Sequence, residues 1–166
     1  ELFKYIESYS DQILKLAPGR LAHIIKTSCS IKARVVEKDE KEKRYRMILN
    51  FGHTLGHAIE AITHYKKFKH GEAVAIGMVG AGLIATELGM FSHEEFTKQK
   101  NLIESYGLPT AAENIDPVMI RQSMNTDKKV SDGVIRWVLL DRIGSAATRR
   151  DVPDELVMKT LRTICK

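Results

Sequence analysis

The sequence predicts a mainly helical fold: several helices, then a single late β-hairpin. Three observations carry this expectation. Apolar residues recur at helical spacing through most of the chain, two extended stretches (VIRWVLL and SAATRRDV) stand side by side near its end, and nothing alternates strand with helix as a parallel sheet requires.

Leu2, Ile6, Tyr9, Ile13 and Leu16 form the apolar stripe of a first helix that ends at Pro18 and Gly19. A second helix buries Leu21, Ile24, Ile25, Cys29, Ile31, Val35 and Val36, then fades into the charged segment DEKEKRYR. MILNFGHTLGHAIEAI follows as a helix with Ile48, Phe51, Leu55, Ile59 and Ile62 on one face. After HYKKFK, the stretch HGEAVAIGMVGAGLIATELGM resumes helical spacing. It is apolar on most sides, so it is expected at the centre of the fold. Gly52, Gly56, Gly77, Gly80 and Gly82 fall inside these two helices. Each costs roughly 0.5–1 kcal/mol against alanine, and close approach of a neighbouring helix or a ligand is the expected compensation. Ser92 with Glu95 three residues on is a capping-box pattern, and the helix it opens stops at Gly107, Leu108 and Pro109. Asp116 and Pro117 open a short helix, Asp141–Gly144 separates the two extended stretches, and Asp154 begins the last helix.

At 166 residues the chain reads as a single domain, residues 1–166, and 43% apolar residues are enough for a real core. No apolar run approaches the roughly 20 residues that span a bilayer, and 28% charged residues indicate a soluble protein. The start, ELFKYIESYS, has neither Met nor the pattern of a signal peptide and reads as an excised boundary. Cys29 and Cys165 make neither a disulfide framework nor a paired zinc motif, which suits a reducing cytoplasm. The net charge of +5 is interspersed with acids, so no nucleic-acid stripe is expected, although a pocket for a small phosphorylated anion is compatible with it. No GxGxxG follows a strand. Gly77, Gly80 and Gly82 lie in an apolar helix, where packing explains them, so no dinucleotide site built wholly from this chain is expected.

His53 and His57 are four positions apart in a helical stretch and project from one face, one turn apart. Among six histidines such a spacing arises by chance, and Thr54 stands where a zinc-protease HExxH would place its glutamate. The context is more telling. Asn50, Gly52 and Gly56 surround the pair with polar groups and bare backbone, and His70 follows at the start of the next helix in His70-Gly71-Glu72. Two histidines from separate helices plus one carboxylate, with a position left open, make a catalytic zinc site. Spacing permits either His53 or His57 as the ligand. His23, His64 and His93 stand among charged neighbours and read as solvated.

NFGHTLGHAIEA followed by HGEAVAIGM resembles the signature of the 3-dehydroquinate synthases, within the sugar phosphate cyclases. SCSIKARVVEKDEKEKRYRMILN and DKKVSDGVIRWVLLDRIG are similar to further segments of that family, and the similarity runs from ELFKYIE to the DVPDEL helix. The resemblance implies the helical C-terminal domain of the family's fold. It also implies an enzyme that converts 3-deoxy-D-arabino-heptulosonate 7-phosphate to 3-dehydroquinate and phosphate, using NAD and zinc or another divalent metal such as cobalt.

Carried over position by position, the resemblance makes His53 and His70 metal ligands and gives His57 a substrate-contacting and proton-relaying role. Lys32, Arg46, Asn50 and one of Lys128 and Lys129 match substrate-binding positions, and Glu42 matches an acid assigned to proton transfer. Taken by themselves, Glu42 is a surface acid, Lys32 and Arg46 are exposed cations, and Lys128 and Lys129 are a turn pair. The family's third metal ligand, a glutamate, and its NAD-binding domain come before the point where this chain begins, so an incomplete active site is expected. The partners implied are a small phosphorylated substrate and a second copy of the enzyme, with no nucleic acid and no membrane. Two other readings remain: a different cyclase such as 2-deoxy-scyllo-inosose synthase, or a non-catalytic helical module that binds metal or nucleic acid.

Overall fold

The computed structural model describes residues 1–40, 45–124 and 134–165, which divide into a first compact unit, Glu1–Leu49, and a second from Asn50 onward. The first unit contains helices α1 (Leu2–Ser8), α2 (Ser10–Leu14) and α3 (Pro18–Lys38), and a 3₁₀ segment runs over Tyr45–Asn50. The helix expected without interruption over Leu2 to Leu16 breaks at Tyr9, whose φ of −119° and ψ of 23° leave the helical region. The break sets the Tyr9 ring under the Arg20 guanidinium, whose central carbon lies 3.6 Å from the ring centroid. Pro18 occupies the first turn of α3, where its missing N–H costs nothing. Of the stripe expected along α3 only Val35 is buried, and Ile25 is 62% exposed. At 21 residues α3 is about 31 Å long, whereas α1 and α2, with 7 and 5 residues, cover only part of that length.

The second unit comprises α4 (His53–Ile62), α5 (His70–Glu87), α6 (His93–Ser105), α7 (Pro117–Ser123), strands β1 (Trp137–Arg142) and β2 (Ser145–Arg149), and α8 (Asp154–Ile164). As its all-round apolar composition predicts, α5 is central and packs against α4, α6, α8 and β1. Ile76 and Ile84 on α5, Ile59 on α4 and Leu161 on α8 are fully buried. The strands pair antiparallel, with Trp137 opposite Arg149 and Leu140 opposite Ala146, and an irregularity between Leu140 and Arg142 precedes the turn. Trp137 to Leu140 are all buried, so β1 is covered on both faces. The mainly helical fold with one late hairpin is therefore as expected.

The caps follow their sequence signals. Ser92 Oγ accepts the Glu95 N–H at 3.2 Å, and an Asp116 carboxylate oxygen accepts the Val118 N–H at 2.8 Å. One boundary differs from expectation. The helix that holds the paired histidines does not extend back through MILNF, because Tyr45–Asn50 is a 3₁₀ segment and Gly52 turns left-handed at φ +78° before α4 begins at His53. Space also requires a glycine there, since a Cβ on Gly52 would lie 2.7 Å from Met78 N and 2.8 Å from Val74 O. Gly77 answers from the other side: a Cβ there would sit 2.0 Å from Gly52 O. Helices α4 and α5 thus meet backbone to backbone, which offsets the conformational cost of their glycines.

Candidate metal centre

That close crossing brings the two histidine-bearing helix starts together. His53 is the first residue of α4 and His57 lies one turn on, both half-buried, while His70 is the first residue of α5 and is exposed. The ring centroids are 5.3 Å apart for His53 and His57, 5.4 Å for His53 and His70, and 5.9 Å for His57 and His70. One ring nitrogen from each residue falls within 4.8 Å of the others. Tetrahedral coordination with bonds of about 2.0–2.1 Å spaces donor atoms about 3.4 Å apart. Small side-chain rotations would close the remaining gap.

Two of the rings are oriented by acceptors. His53 Nδ1 lies 3.1 Å from the carbonyl oxygen of Phe51, which can only accept, so Nδ1 carries the proton and Nε2 the lone pair. His70 Nδ1 lies 3.2 and 3.1 Å from the two carboxylate oxygens of Glu60, which leaves Nε2 of His70 as its donor atom in the same way. The donor set therefore fits a divalent cation of the zinc class.

Glu60, 6% exposed, joins the site although the histidine pattern alone does not name it. A signal for it existed, since it lies seven positions after His53, two helical turns along the same face of α4.

The other expected site residues are distributed differently. Lys32 is exposed on α3, and Arg46 is half-buried in the 3₁₀ segment, where its backbone N–H donates to Asp39 Oδ2 at 3.0 Å. Both belong to the first unit. Asn50 is half-buried at the end of the 3₁₀ segment. Glu42, Lys128 and Lys129 lie outside the described residues. Of the remaining histidines, His64 and His93 are exposed, and His23, also exposed, stacks on Tyr5 with centroids 4.1 Å apart. Two concavities of about 420 and 510 Å³ open elsewhere in the second unit, sharing Lys67 and Asn114, and no histidine lines either of them.

The family model described as 3-dehydroquinate synthase C-terminal matches residues 1–130. A 3-dehydroquinate synthase of Thermoanaerobacter pseudethanolicus is 47% identical over 97% of the chain and 45% of its own length. The chain thus spans about half the length of the curated relatives it matches. A 2-epi-5-epi-valiolone synthase of Streptomyces hygroscopicus subsp. jinggangensis, solved with NAD+ and Zn2+, has the same fold with a TM-score of 0.87 at 22% identity, over 99% of this chain and 46% of its own. A 2-deoxy-scyllo-inosose synthase complexed with carbaglucose-6-phosphate, NAD+ and Co2+ aligns with a TM-score of 0.75 at 26% identity, over 88% of this chain and 42% of its own.

Proposed function

The chain belongs to the 3-dehydroquinate synthase C-terminal family, and from that premise we propose that it is the metal- and substrate-binding half of a 3-dehydroquinate synthase. The reaction is conversion of 3-deoxy-D-arabino-heptulosonate 7-phosphate to 3-dehydroquinate and phosphate, in the shikimate pathway to the aromatic amino acids. The observation that carries the reading is the convergence of His53, His57 and His70 from two helices on one point.

In this reading His53 and His70 hold zinc, or another divalent metal such as cobalt, through Nε2. The metal supplies Lewis-acid polarisation and orientation of the substrate hydroxyls. His57, one turn from His53, faces the substrate and relays a proton at its ring nitrogen. Lys32, Arg46 and one of Lys128 and Lys129 bind the carboxylate and phosphate as cations, Asn50 hydrogen-bonds a hydroxyl, and Glu42 takes part in proton transfer. NAD is the redox cofactor, held chiefly outside the residues of this chain. Support for both cofactors comes from the two cyclase structures, solved with NAD+ and Zn2+ and with NAD+ and Co2+. The donor chemistry of the three imidazoles favours the metal independently.

We place the enzyme in the cytoplasm as a homodimer, the arrangement common in the family, without nucleic-acid or membrane partners. No helix among the described residues is long and apolar enough to cross a membrane. The test is phosphate release by the zinc- and NAD-loaded holoenzyme, offered the heptulosonate phosphate and glucose 6-phosphate separately. Release from the heptulosonate phosphate only is the expected result, and this chain by itself should bind zinc weakly and release none. Turnover of glucose 6-phosphate, the substrate of 2-deoxy-scyllo-inosose synthase, or of neither sugar would overturn the assignment.

A further inference from the structure

We propose that Glu60 is a positioning residue of the metal centre, holding His70 in the tautomer and orientation that present Nε2 to the cation. The inference rests on reading His53 and His70 as metal ligands. It starts from an asymmetry of burial: the His70 side chain is 59% exposed and the Glu60 side chain 8%. A buried carboxylate is expensive unless it is hydrogen-bonded or paired, and the imidazole of His70 supplies that partner, ten residues away on the next helix.

The geometry is specific to the ring atom engaged. Both carboxylate oxygens contact Nδ1, at 3.2 and 3.1 Å. A carboxylate accepts, so the proton sits on Nδ1 and the lone pair on Nε2, across the ring and away from Glu60. The oxygens of Glu60 do not themselves join the group of donor atoms that lie within 4.8 Å of one another. Glu60 therefore acts through His70 rather than beside it. His53 is held by the same device with a different acceptor, the Phe51 carbonyl, so Nδ1 of each proposed ligand is engaged and Nε2 carries the lone pair.

The two acceptors have different reach. Phe51 O is backbone, two residues before His53, and comes with the turn. His70 opens α5 with an exposed ring, and without Glu60 no other group among the described residues hydrogen-bonds that ring. A negatively charged acceptor on Nδ1 also strengthens electron donation from Nε2, and removal of such outer partners typically weakens metal binding about 10–100-fold.

The experiment measures zinc affinity of the holoenzyme by competition with a chromophoric chelator, together with the visible spectrum of the Co2+-substituted protein. Glu60→Ala is compared with Glu60→Gln, and His53→Ala and His70→Ala serve as ligand controls. Glu60→Ala should bind zinc about 10–100-fold more weakly and shift the Co2+ bands. Glu60→Gln, whose amide oxygen still accepts from Nδ1 without the charge, should recover part of the affinity, and it keeps the test valid if the alanine variant fails to fold. Wild-type affinity and an unchanged Co2+ spectrum in both Glu60 variants, with zinc lost in the histidine controls, would overturn the role of Glu60 and leave the metal reading intact. Zinc retained in both histidine controls would overturn the metal reading, and this inference with it.

Discussion

Replacing Gly77 with alanine tests the backbone contact that brings the histidines together. The added Cβ would lie 2.0 Å from Gly52 O and 2.9 Å from both Gly52 C and Gly56 N. All three are backbone atoms, so no change of rotamer relieves the clash. Ordinary contact begins near 3.4 Å, and the start of α4 must therefore move away from α5 by about 1.4 Å, in a core where even an extra methylene is felt. Overpacking costs typically 1–3 kcal/mol, and a displacement forced on backbone belongs near ~3 kcal/mol. The better helix propensity of alanine returns about 0.5–1 kcal/mol. A net loss of about 2–2.5 kcal/mol is predicted from these opposing effects, read as a lower midpoint in urea denaturation followed by circular dichroism. Because Gly52 immediately precedes His53, zinc affinity should fall in the same variant. Gly71→Ala is the control: its Cβ would meet nothing within 4 Å, so stability should hold or rise slightly. A Gly77→Ala protein within about 0.5 kcal/mol of wild type, the range of an inconsequential surface change, would refute the backbone-to-backbone crossing.

Ser92→Ala removes the acceptor of the Glu95 N–H at the start of α6 and should cost about 0.5–2 kcal/mol in chemical denaturation, and an unchanged midpoint would count against the cap. Cys29 is exposed, whereas burial, aided by the charge of Asp116, pushes the Cys165 thiol up to about 11. Since the thiolate is the nucleophile, iodoacetamide at neutral pH should label Cys29 much faster than Cys165 by peptide mass spectrometry, and equal rates would contradict the placement of Cys165. The hydrogen bond from Arg149 holds the Asp151 carboxyl at about 2, below its ordinary value of 3.8. A depressed carboxyl contributes fully above its unfolded value and loses that contribution as pH falls through the folded one. The pH–stability curve of Asp151→Asn should therefore flatten between about 4 and 2 relative to wild type, by a small amount because the pair is exposed. Superimposable curves would exclude the interaction.

The helical class, the central place of α5 and the late hairpin were legible because each rests on a repeating apolar pattern, and the glycines of α4 and α5 correctly announced a close crossing. Boundaries were less legible. In MILNFGHTLGHAIEAI a short 3₁₀ segment and an α-helix carry nearly the same apolar spacing, and Gly52 at positive φ looks, in sequence, like any helix glycine. The break at Tyr9 goes with a contact to Arg20, eleven residues on, which apolar spacing does not report. The stripe of α3 was read from spacing, but spacing does not say whether a neighbour is long enough to cover it.

At the site, the recurrence of His53, His57 and His70 was visible, and the seven-residue spacing puts Glu60 on the face of His53 without saying which ring it meets. Only the fold shows Glu60 turned inward onto a ring from the next helix. Which of His53 and His57 is a ligand depends on the direction of ring nitrogens, which spacing does not encode.

The most direct test is diffraction from crystals of the zinc-loaded holoenzyme, recorded on both sides of the zinc absorption edge. A single anomalous peak about 2.0–2.1 Å from Nε2 of both His53 and His70, with His57 turned towards the open side, is the predicted result. A peak bound through Nδ1 of either residue, or no zinc between α4 and α5, would contradict it.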